Sequence, residues 1–160
     1  MTRTHDYHAT TTWTGNTGQG TADYRAYNRT HEIHIAGKPT LPGSADPMFR
    51  GEADRWNPED SLIGAISACH MLWFLHLASD AGWVVESYRD EATATMELNP
   101  DGSGQFTSAT LHPKVTISAG DPGLLDNLHH RAHGMCFIAR SLNFPVRCDG
   151  TVEQAQDSAG

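Results

Sequence analysis

The sequence is short of basic residues. Its 160 residues include 11 lysines and arginines against 19 aspartates and glutamates, so the formal net charge is −8 at pH 7. Phosphate backbones and anionic lipid surfaces repel a protein with that balance. Nucleic acid and the membrane surface are therefore excluded as principal partners. The length fits one domain, residues 1–160, with a substantial core and flexible ends at 1–8 and 153–160.

The sequence also lacks a long apolar run. Residues 1–12 are polar, so no secretory signal is expected. The run 68–78 is interrupted by His70 and His76 and is too short to span a bilayer. We therefore expect a cytoplasmic protein. In that reducing compartment three cysteines favour metal binding or thiol chemistry over a disulfide framework. Ten histidines make a metal site a hypothesis to test.

The main apolar segment is a predicted helix over residues 57–78. Asn57 can cap its first turn, Pro58 suits the first helical position, and the two acidic residues that follow favour the positive end of the helix dipole. From Leu62 onward the apolar residues occupy nearly the whole circumference, which predicts a helix buried on all sides. Gly82 is the expected residue after the helix end.

Strand patterns lie on both sides of this helix. Alternating apolar and polar residues predict strands at 9–13, 24–35, 83–88, 91–98, 106–118 and 146–148. A second helix is predicted from Asp121 to Leu142, and residues 38–54 form a long connection rich in proline and glycine. Strands joined by tight turns pair antiparallel, so the predicted fold class is α+β. We find no internal repeat.

The all-round apolar surface of the first helix has a further consequence. One sheet can cover only one side of a helix, so a second cover is needed, and a partner subunit supplies it most simply. We therefore predict an obligate homodimer in which two antiparallel sheets enclose the central helices.

Each predicted helix carries one cysteine, Cys69 in the first and Cys136 in the second. Taken alone, a cysteine on an apolar helix is most often a small core residue. Two thiols that meet where helices pack can instead form a peroxidatic and resolving pair. One thiolate attacks a peroxide O–O bond and the other thiol condenses with the resulting sulfenic acid. The ionised thiol then needs a nearby cation, which a carboxylate can hold in place.

A metal site competes with this interpretation. His129, His133 and Cys136 occur at i, i+4 and i+7, near one face of the second helix, with a spacing that suits zinc. An opposing Cys69 or His70 could supply a fourth ligand. Alternatively, the histidines of this helix lie on a solvent-exposed face or at the edge of the fold and bind no ligand. The third cysteine of the chain is given no role.

The cysteines also stand in a characteristic pattern. An Asn-Pro-Glu segment ending at Glu59 is followed ten positions later by Cys69, and Cys136 comes late in the second helix. Together with the strand and helix order, this pattern resembles the OsmC/Ohr family of thiol-dependent hydroperoxide reductases. The run His-Met-Leu-Trp-Phe-Leu after Cys69 is similar to an OsmC-like subgroup. The likeness extends over about residues 24–148.

The resemblance implies an intertwined α+β homodimer that reduces organic hydroperoxides, with two active sites at the subunit interface and no cofactor. It implies that Cys69 is the peroxidatic thiol and that Cys136 resolves it through a Cys69–Cys136 disulfide. Glu59 corresponds to the carboxylate that positions an arginine. An external dithiol, for example a lipoylated protein, would return the disulfide to two thiols.

Three arginines precede the helix and could fill the cationic role. Arg29 is favoured because its predicted strand can point it inward, Arg50 near the helix entry is second, and Arg55 is third. Phe137 follows Cys136 where well characterised members of the family have proline. This departure falls beside the expected substrate pocket.

Helix geometry separates the carboxylate from the first thiol. Glu59 and Cys69 are ten residues apart, about 15 Å along a straight helix, and do not share a face. Glu59 should therefore serve the Cys69 of a partner subunit, unless the helix entry bends back. The apolar residues around Cys69 favour an alkyl or lipid hydroperoxide. The alternative function is a non-enzymatic metal or small-ligand binding protein that uses His129, His133 and Cys136.

Overall fold

The computed structural model describes residues 3–156, and within that range the chain forms nine strands and two α-helices. The strands are β1 Thr10–Trp13, β2 His31–His34, β3 Leu41–Gly43, β4 Val84–Asp90, β5 Thr93–Leu98, β6 Gly104–Leu111, β7 Pro113–Ala119, β8 Val146–Cys148 and β9 Thr151–Gln154. The helices are α1 Pro58–Asp80 and α2 Leu125–Met135. Short 3-10 helices cover Pro47–Phe49, Pro122–Leu124 and Ala139–Ser141.

The chain divides into two compact units at the bond between Leu62 and Ile63, inside α1. The first unit contains the antiparallel sheet β1-β2-β3. The second contains two three-stranded sheets, β4-β7-β9 and β5-β6-β8, in which β4–β7 and β5–β6 are antiparallel. The predicted α+β class is confirmed. A single domain over residues 1–160 stays a prediction.

The ends of α1 agree with the local signals in the sequence. Asn57 Oδ1 accepts a hydrogen bond from the Asp60 N–H at 2.7 Å, so the predicted cap is formed. Gly82 has φ +78°, and the Trp83 N–H beyond it donates to the Ala78 carbonyl at 2.9 Å. Glycine adopts this left-handed conformation without the steric penalty of a Cβ atom, which explains where the helix stops.

Within one chain α1 is buried along a stripe and not on all sides. The buried residues of the helix are Ile66, His70, Phe74, Leu77 and Ala78. Leu72, on another face, is 63% exposed. By length and composition alone α1 could cross a membrane, a property that core helices of globular proteins share. The prediction of all-round burial is therefore not met by one chain, and the homodimer stays a prediction.

The core of the second unit forms where α1 and α2 pack on the sheet β4-β7-β9. It consists of the buried side chains Phe74, Leu77, Ala78, Trp83, Val115, Ile117, Leu128 and Ala132. Phe74 lies at its centre and is fully buried. The centroid of its ring is 6.1 Å from that of Trp83 and 5.6 Å from that of Tyr88. This core holds the second half of α1 and the whole of α2 in fixed positions.

Two predicted strands differ from the structure. The strand predicted at 106–118 is two strands in different sheets, β6 and β7. Pro113 cannot donate to a ladder, and the His112 N–H before it donates at 2.7 Å to the Asp90 carboxylate instead. The strand predicted at 24–35 shortens to β2, because Tyr24 and Arg25 lie in a turn in which the Ala26 N–H donates to the Asp23 carbonyl, and residues 28–30 have no regular structure.

Three further elements differ from the prediction. The connection at 38–54 contains β3 and the 3-10 helix Pro47–Phe49. Strand β9 lies where a flexible end was predicted, because it pairs in parallel with β7 as β8 does with β6. Residues 1–2 and 157–160 of the predicted flexible ends lie outside the described residues. The predicted second helix is shorter, as described below.

Candidate functional site

The thiols of Cys69 and Cys136 meet in the second unit. Cys69 is half-buried on α1, and Cys136 is completely buried at the end of α2. Burial raises the pKa of the Cys136 thiol to about 11, and the direct interaction with the Cys69 side chain acts in the same direction. Cys136 is therefore protonated at neutral pH. The Cys69 side chain lies close enough to Cys136 to affect its ionisation.

The structure corrects the local setting of Cys136. The prediction placed it inside a helix that continues to Leu142, but α2 ends at Met135. Cys136 is extended, with φ −69° and ψ 107°, and its Sγ accepts a hydrogen bond from the Ala139 N–H at 3.4 Å. Gly134, which disfavours helix, lies in the last turn. The second thiol thus sits at a helix end, with a backbone donor directed at its sulfur.

Apolar side chains lie beside the thiol pair on α1. Trp73 packs edge-on against Phe137 with 5.6 Å between ring centroids, one helical turn after Cys69. Phe137 is 67% exposed. Leu72, Trp73 and His76 line an open cavity of about 260 Å³. The face around Cys69 therefore presents a mainly apolar surface.

Two other predicted site residues, Arg29 and Glu59, line one cavity of about 310 Å³ in the first unit. One carboxylate oxygen of Glu59, Oε2, is buried and has no hydrogen-bond partner within residues 3–156. The Arg29 guanidinium stacks on the rings of Tyr24 and Tyr27 at 4.3 and 4.1 Å. It also donates to the Tyr24 carbonyl at 2.8 Å. Arg29 lies two residues before β2 in a segment without regular structure, so its predicted place in a strand is wrong.

The other two candidate arginines have different surroundings. Arg50 is exposed, has φ +66°, and places its guanidinium carbon 5.9 Å from the ring of Tyr24. Arg55 forms an ion pair with Glu52 at 2.7 Å. Of the three, Arg29 is the arginine that lines the cavity of Glu59.

A second cluster joins α1, α2 and β8. His70 Nε2 lies 2.9 Å from His129 Nδ1, and Cys148 Sγ lies 3.7 Å from His70 Nε2. The two imidazole rings are nearly parallel, with 5.2 Å between centroids. Burial lowers the pKa of both histidines to about 4 and raises that of the Cys148 thiol to about 12. All three side chains are therefore uncharged at neutral pH.

The predicted metal set of His129, His133 and Cys136 is wrong. His129 turns toward His70, His133 is exposed, and Cys136 is adjacent to Cys69. The i+7 relation fails because α2 ends before Cys136. Of the proposed opposing residues, His70 does face His129. Cys148, which was given no role, joins them through the parallel pairing of β8 with β6, which nothing in the local sequence indicates.

A protein-family model and several solved structures resemble this chain. A family model described as OsmC-like protein matches residues 51–149. An OsmC-like protein of unknown function from Vibrio cholerae has a structure with a TM-score of 0.83 and 30% sequence identity, and the match covers 92% of this chain and 99% of that one. No curated protein matches the sequence significantly.

Two structures of lower identity share the fold. An organic hydroperoxide resistance protein from Elizabethkingia anophelis has a TM-score of 0.69 at 16% identity, covering 97% of this chain and 100% of that one. An organic hydroperoxide resistance protein OsmC from Legionella pneumophila has a TM-score of 0.68 at 16% identity, covering 95% and 99%. The match of the family model to most of the chain confirms the resemblance read from the sequence, and the chain belongs to the OsmC-like protein family.

Proposed function

We propose that this protein is a thiol-dependent peroxidase that reduces organic hydroperoxides. The observation that carries the proposal is the proximity of Cys69 on α1 to Cys136 at the end of α2, close enough for the Cys69 side chain to raise the pKa of the Cys136 thiol. Membership of the OsmC-like family supports peroxide-related redox chemistry. Two solved structures with the same fold are organic hydroperoxide resistance proteins.

The proposed first step is attack of the Cys69 thiolate on the distal oxygen of the hydroperoxide. A sulfur–oxygen bond forms, the O–O bond breaks, and the leaving alkoxide takes up the proton that the Cys69 thiol had lost. The products are an alcohol and a sulfenic acid on Cys69. The half-buried position of Cys69 leaves its sulfur open to substrate.

In the second step the sulfur of Cys136 attacks the sulfur of the Cys69 sulfenic acid. The disulfide forms, and the hydroxyl group leaves as water with the Cys136 proton. An external dithiol, such as a lipoylated protein, then reduces the disulfide and is oxidised to a disulfide itself. The burial of Cys136 supports this order, because the thiolate is the species that attacks a peroxide and burial disfavours the thiolate of Cys136.

The apolar surface around Cys69 supports an organic substrate. Leu72, Trp73 and Phe137 offer apolar contacts to an alkyl chain and few hydrogen bonds to a small polar peroxide. We therefore propose alkyl or lipid hydroperoxides as the substrate class, in preference to hydrogen peroxide.

Glu59 and Arg29 complete the proposed active site. A buried carboxylate oxygen without a partner costs free energy, so Glu59 Oε2 favours a donor that approaches it. In the proposed homodimer, Glu59 of one subunit holds Arg29, and the arginine stabilises the Cys69 thiolate of the other subunit. Arg50 is the second choice for this role.

Thiol counting tests the reaction. The fully reduced chain has three thiols, and one equivalent of cumene hydroperoxide should remove two of them, with peptide mapping locating a Cys69–Cys136 disulfide. Cys69→Ser should lose none under the same conditions, and Cys136→Ser should lose one and accumulate a sulfenic acid that dimedone traps. An unchanged thiol count in the wild type, or oxidation that persists in Cys69→Ser, contradicts the proposal.

A further inference from the structure

We propose that His70, His129 and Cys148 form a binding site for a divalent transition-metal ion of the zinc class. The site lies outside the thiol pair and does not depend on the proposed peroxidase reaction. Its three donor atoms come from α1, α2 and β8 and all lie within 4.8 Å of one another. Within residues 3–156, no other group of three histidine, cysteine or acidic side chains has this arrangement.

The distances fit tetrahedral coordination. With metal–nitrogen bonds of about 2.0–2.1 Å and a metal–sulfur bond of about 2.3 Å, two nitrogen ligands lie about 3.3 Å apart and a nitrogen and a sulfur about 3.6 Å apart. The observed separations are 2.9 Å between His70 Nε2 and His129 Nδ1 and 3.7 Å between His70 Nε2 and Cys148 Sγ. The two imidazole rings need to move apart by only a few tenths of an ångström to bring their nitrogens to the separation that the ion requires.

The surroundings hold the donor atoms in place. His70 and His129 are 1% and 5% exposed, and the rings of Phe74 and His129 stack with 4.2 Å between centroids. A Cβ atom on Gly150 would come within 2.5 Å of His129 Nε2, so a glycine is needed for the ring to fit there. The ligand atoms are therefore oriented by the core and not by flexible loops.

Without an ion, the donor atoms of the two histidines have each other as partners. His70 Nε2 and His129 Nδ1 share one hydrogen bond, so one of these nitrogens donates and the other accepts. The other ring nitrogen of His129, Nε2, is buried without a partner in the described part of the chain and is not one of the donor atoms. An ion at the centre would accept lone pairs from all three donors, while the Cys148 thiol loses its proton to solvent.

The donor types select the metal class. Imidazole nitrogen and thiolate sulfur suit zinc and its neighbours, whereas magnesium and calcium need oxygen ligands. Asp126, His130 and His133 line a cavity of about 310 Å³ that reaches His129 and Cys148. This cavity gives the ion a route of entry and leaves the fourth position to water or to His133.

Metal titration of a protein with one thiol tests the site. The double variant Cys69→Ser/Cys136→Ser, untagged and reduced, keeps Cys148 as the only thiol of the chain. We expect one equivalent of Zn²⁺ to bind per chain. Co²⁺ should give a tetrahedral spectrum with a thiolate-to-cobalt charge-transfer band, which in this background can arise only from Cys148.

Further variants in the same background identify the ligands. Cys148→Ser and His129→Gln should each weaken Zn²⁺ binding by at least about tenfold, while His76→Gln, at an exposed position of α1, should change it by less than about twofold. Absence of the charge-transfer band, or unchanged Zn²⁺ affinity in Cys148→Ser, overturns the proposal. The cobalt spectrum is measured before ligands are replaced, so misfolding of a ligand variant cannot produce the refuting result.

Discussion

Acid should destabilise this protein through the buried pair His70 and His129. In the folded chain the pKa of each is about 4, against 6.5 for an unperturbed histidine. Burial is the main cause for both, and for His70 nearby His133 lowers the pKa further while Asp90 raises it. Between pH 6.5 and 4 the unfolded chain therefore binds more protons than the folded chain. The free energy of unfolding is greatest above pH 6.5 and falls as the pH decreases toward 4.

The size of the effect follows from the pKa change. Each tenfold change in a protonation equilibrium corresponds to about 1.4 kcal/mol, so a pKa lowered from 6.5 to about 4 corresponds to roughly 3–4 kcal/mol for each histidine taken alone. Because the two rings share a hydrogen bond, their protonations are linked and the total for the pair is roughly 3–5 kcal/mol. That is a large fraction of the roughly 5–15 kcal/mol that stabilises a typical domain.

Urea unfolding of metal-free protein, measured at several pH values with EDTA and a fixed protein concentration, provides the assay. From pH 7 to pH 5 the free energy of unfolding should fall by roughly 3 kcal/mol. His129→Gln should flatten this dependence, whereas His76→Gln, an exposed histidine on α1, should keep it. A wild-type curve that is flat between pH 7 and pH 5 would refute the assignment of a buried neutral pair.

Three other changes test the packing and the assembly. Phe74→Ala removes a fully buried ring from the core of the second unit and should lower the free energy of unfolding by about 3–5 kcal/mol, measured by urea denaturation with exposed Tyr7→Ala as the control. Asn57→Ala removes the cap of α1 and should cost about 1 kcal/mol in the same assay. Leu72→Asp, on the exposed face of α1, should convert the proposed homodimer to monomers in sedimentation velocity, while an unchanged sedimentation coefficient would argue against an α1 interface.

The elements that the sequence predicts well are those with local signals. Helix α1 begins and ends where expected because a capping side chain at Asn57 and a left-handed glycine at Gly82 act within one turn of the chain. The pairing of β5 with β6 follows in the same way, since the short turn between Leu98 and Gly104 sets two consecutive strands antiparallel. Such features depend on a few neighbouring residues and can be read without knowing the tertiary structure.

The features that were missed depend on distant partners. The break between β6 and β7 is stabilised by the carboxylate of Asp90, 22 residues away from His112. Strand β9 exists because β7 offers it a parallel edge, and its own sequence, Thr-Val-Glu-Gln, carries too short a pattern to predict a strand. Local periodicity cannot report on either contact, because each joins residues that are far apart in the sequence.

The two candidate clusters show why a ligand set predicted along one helix failed, while the thiol pair predicted across two helices stays a prediction. Successive residues of a helix point about 100° apart, so Cys69 and His70 face different neighbours, the first Cys136 and the second His129 and Cys148. The thiol pair requires only that α1 and α2 pack together, and both helices contribute side chains to the core of the second unit. The set His129, His133 and Cys136 required an uninterrupted α2, and the extended backbone of Cys136 removes that condition. Sites assembled from several elements therefore have to be predicted from packing between elements, with spacing along one element as a weaker guide.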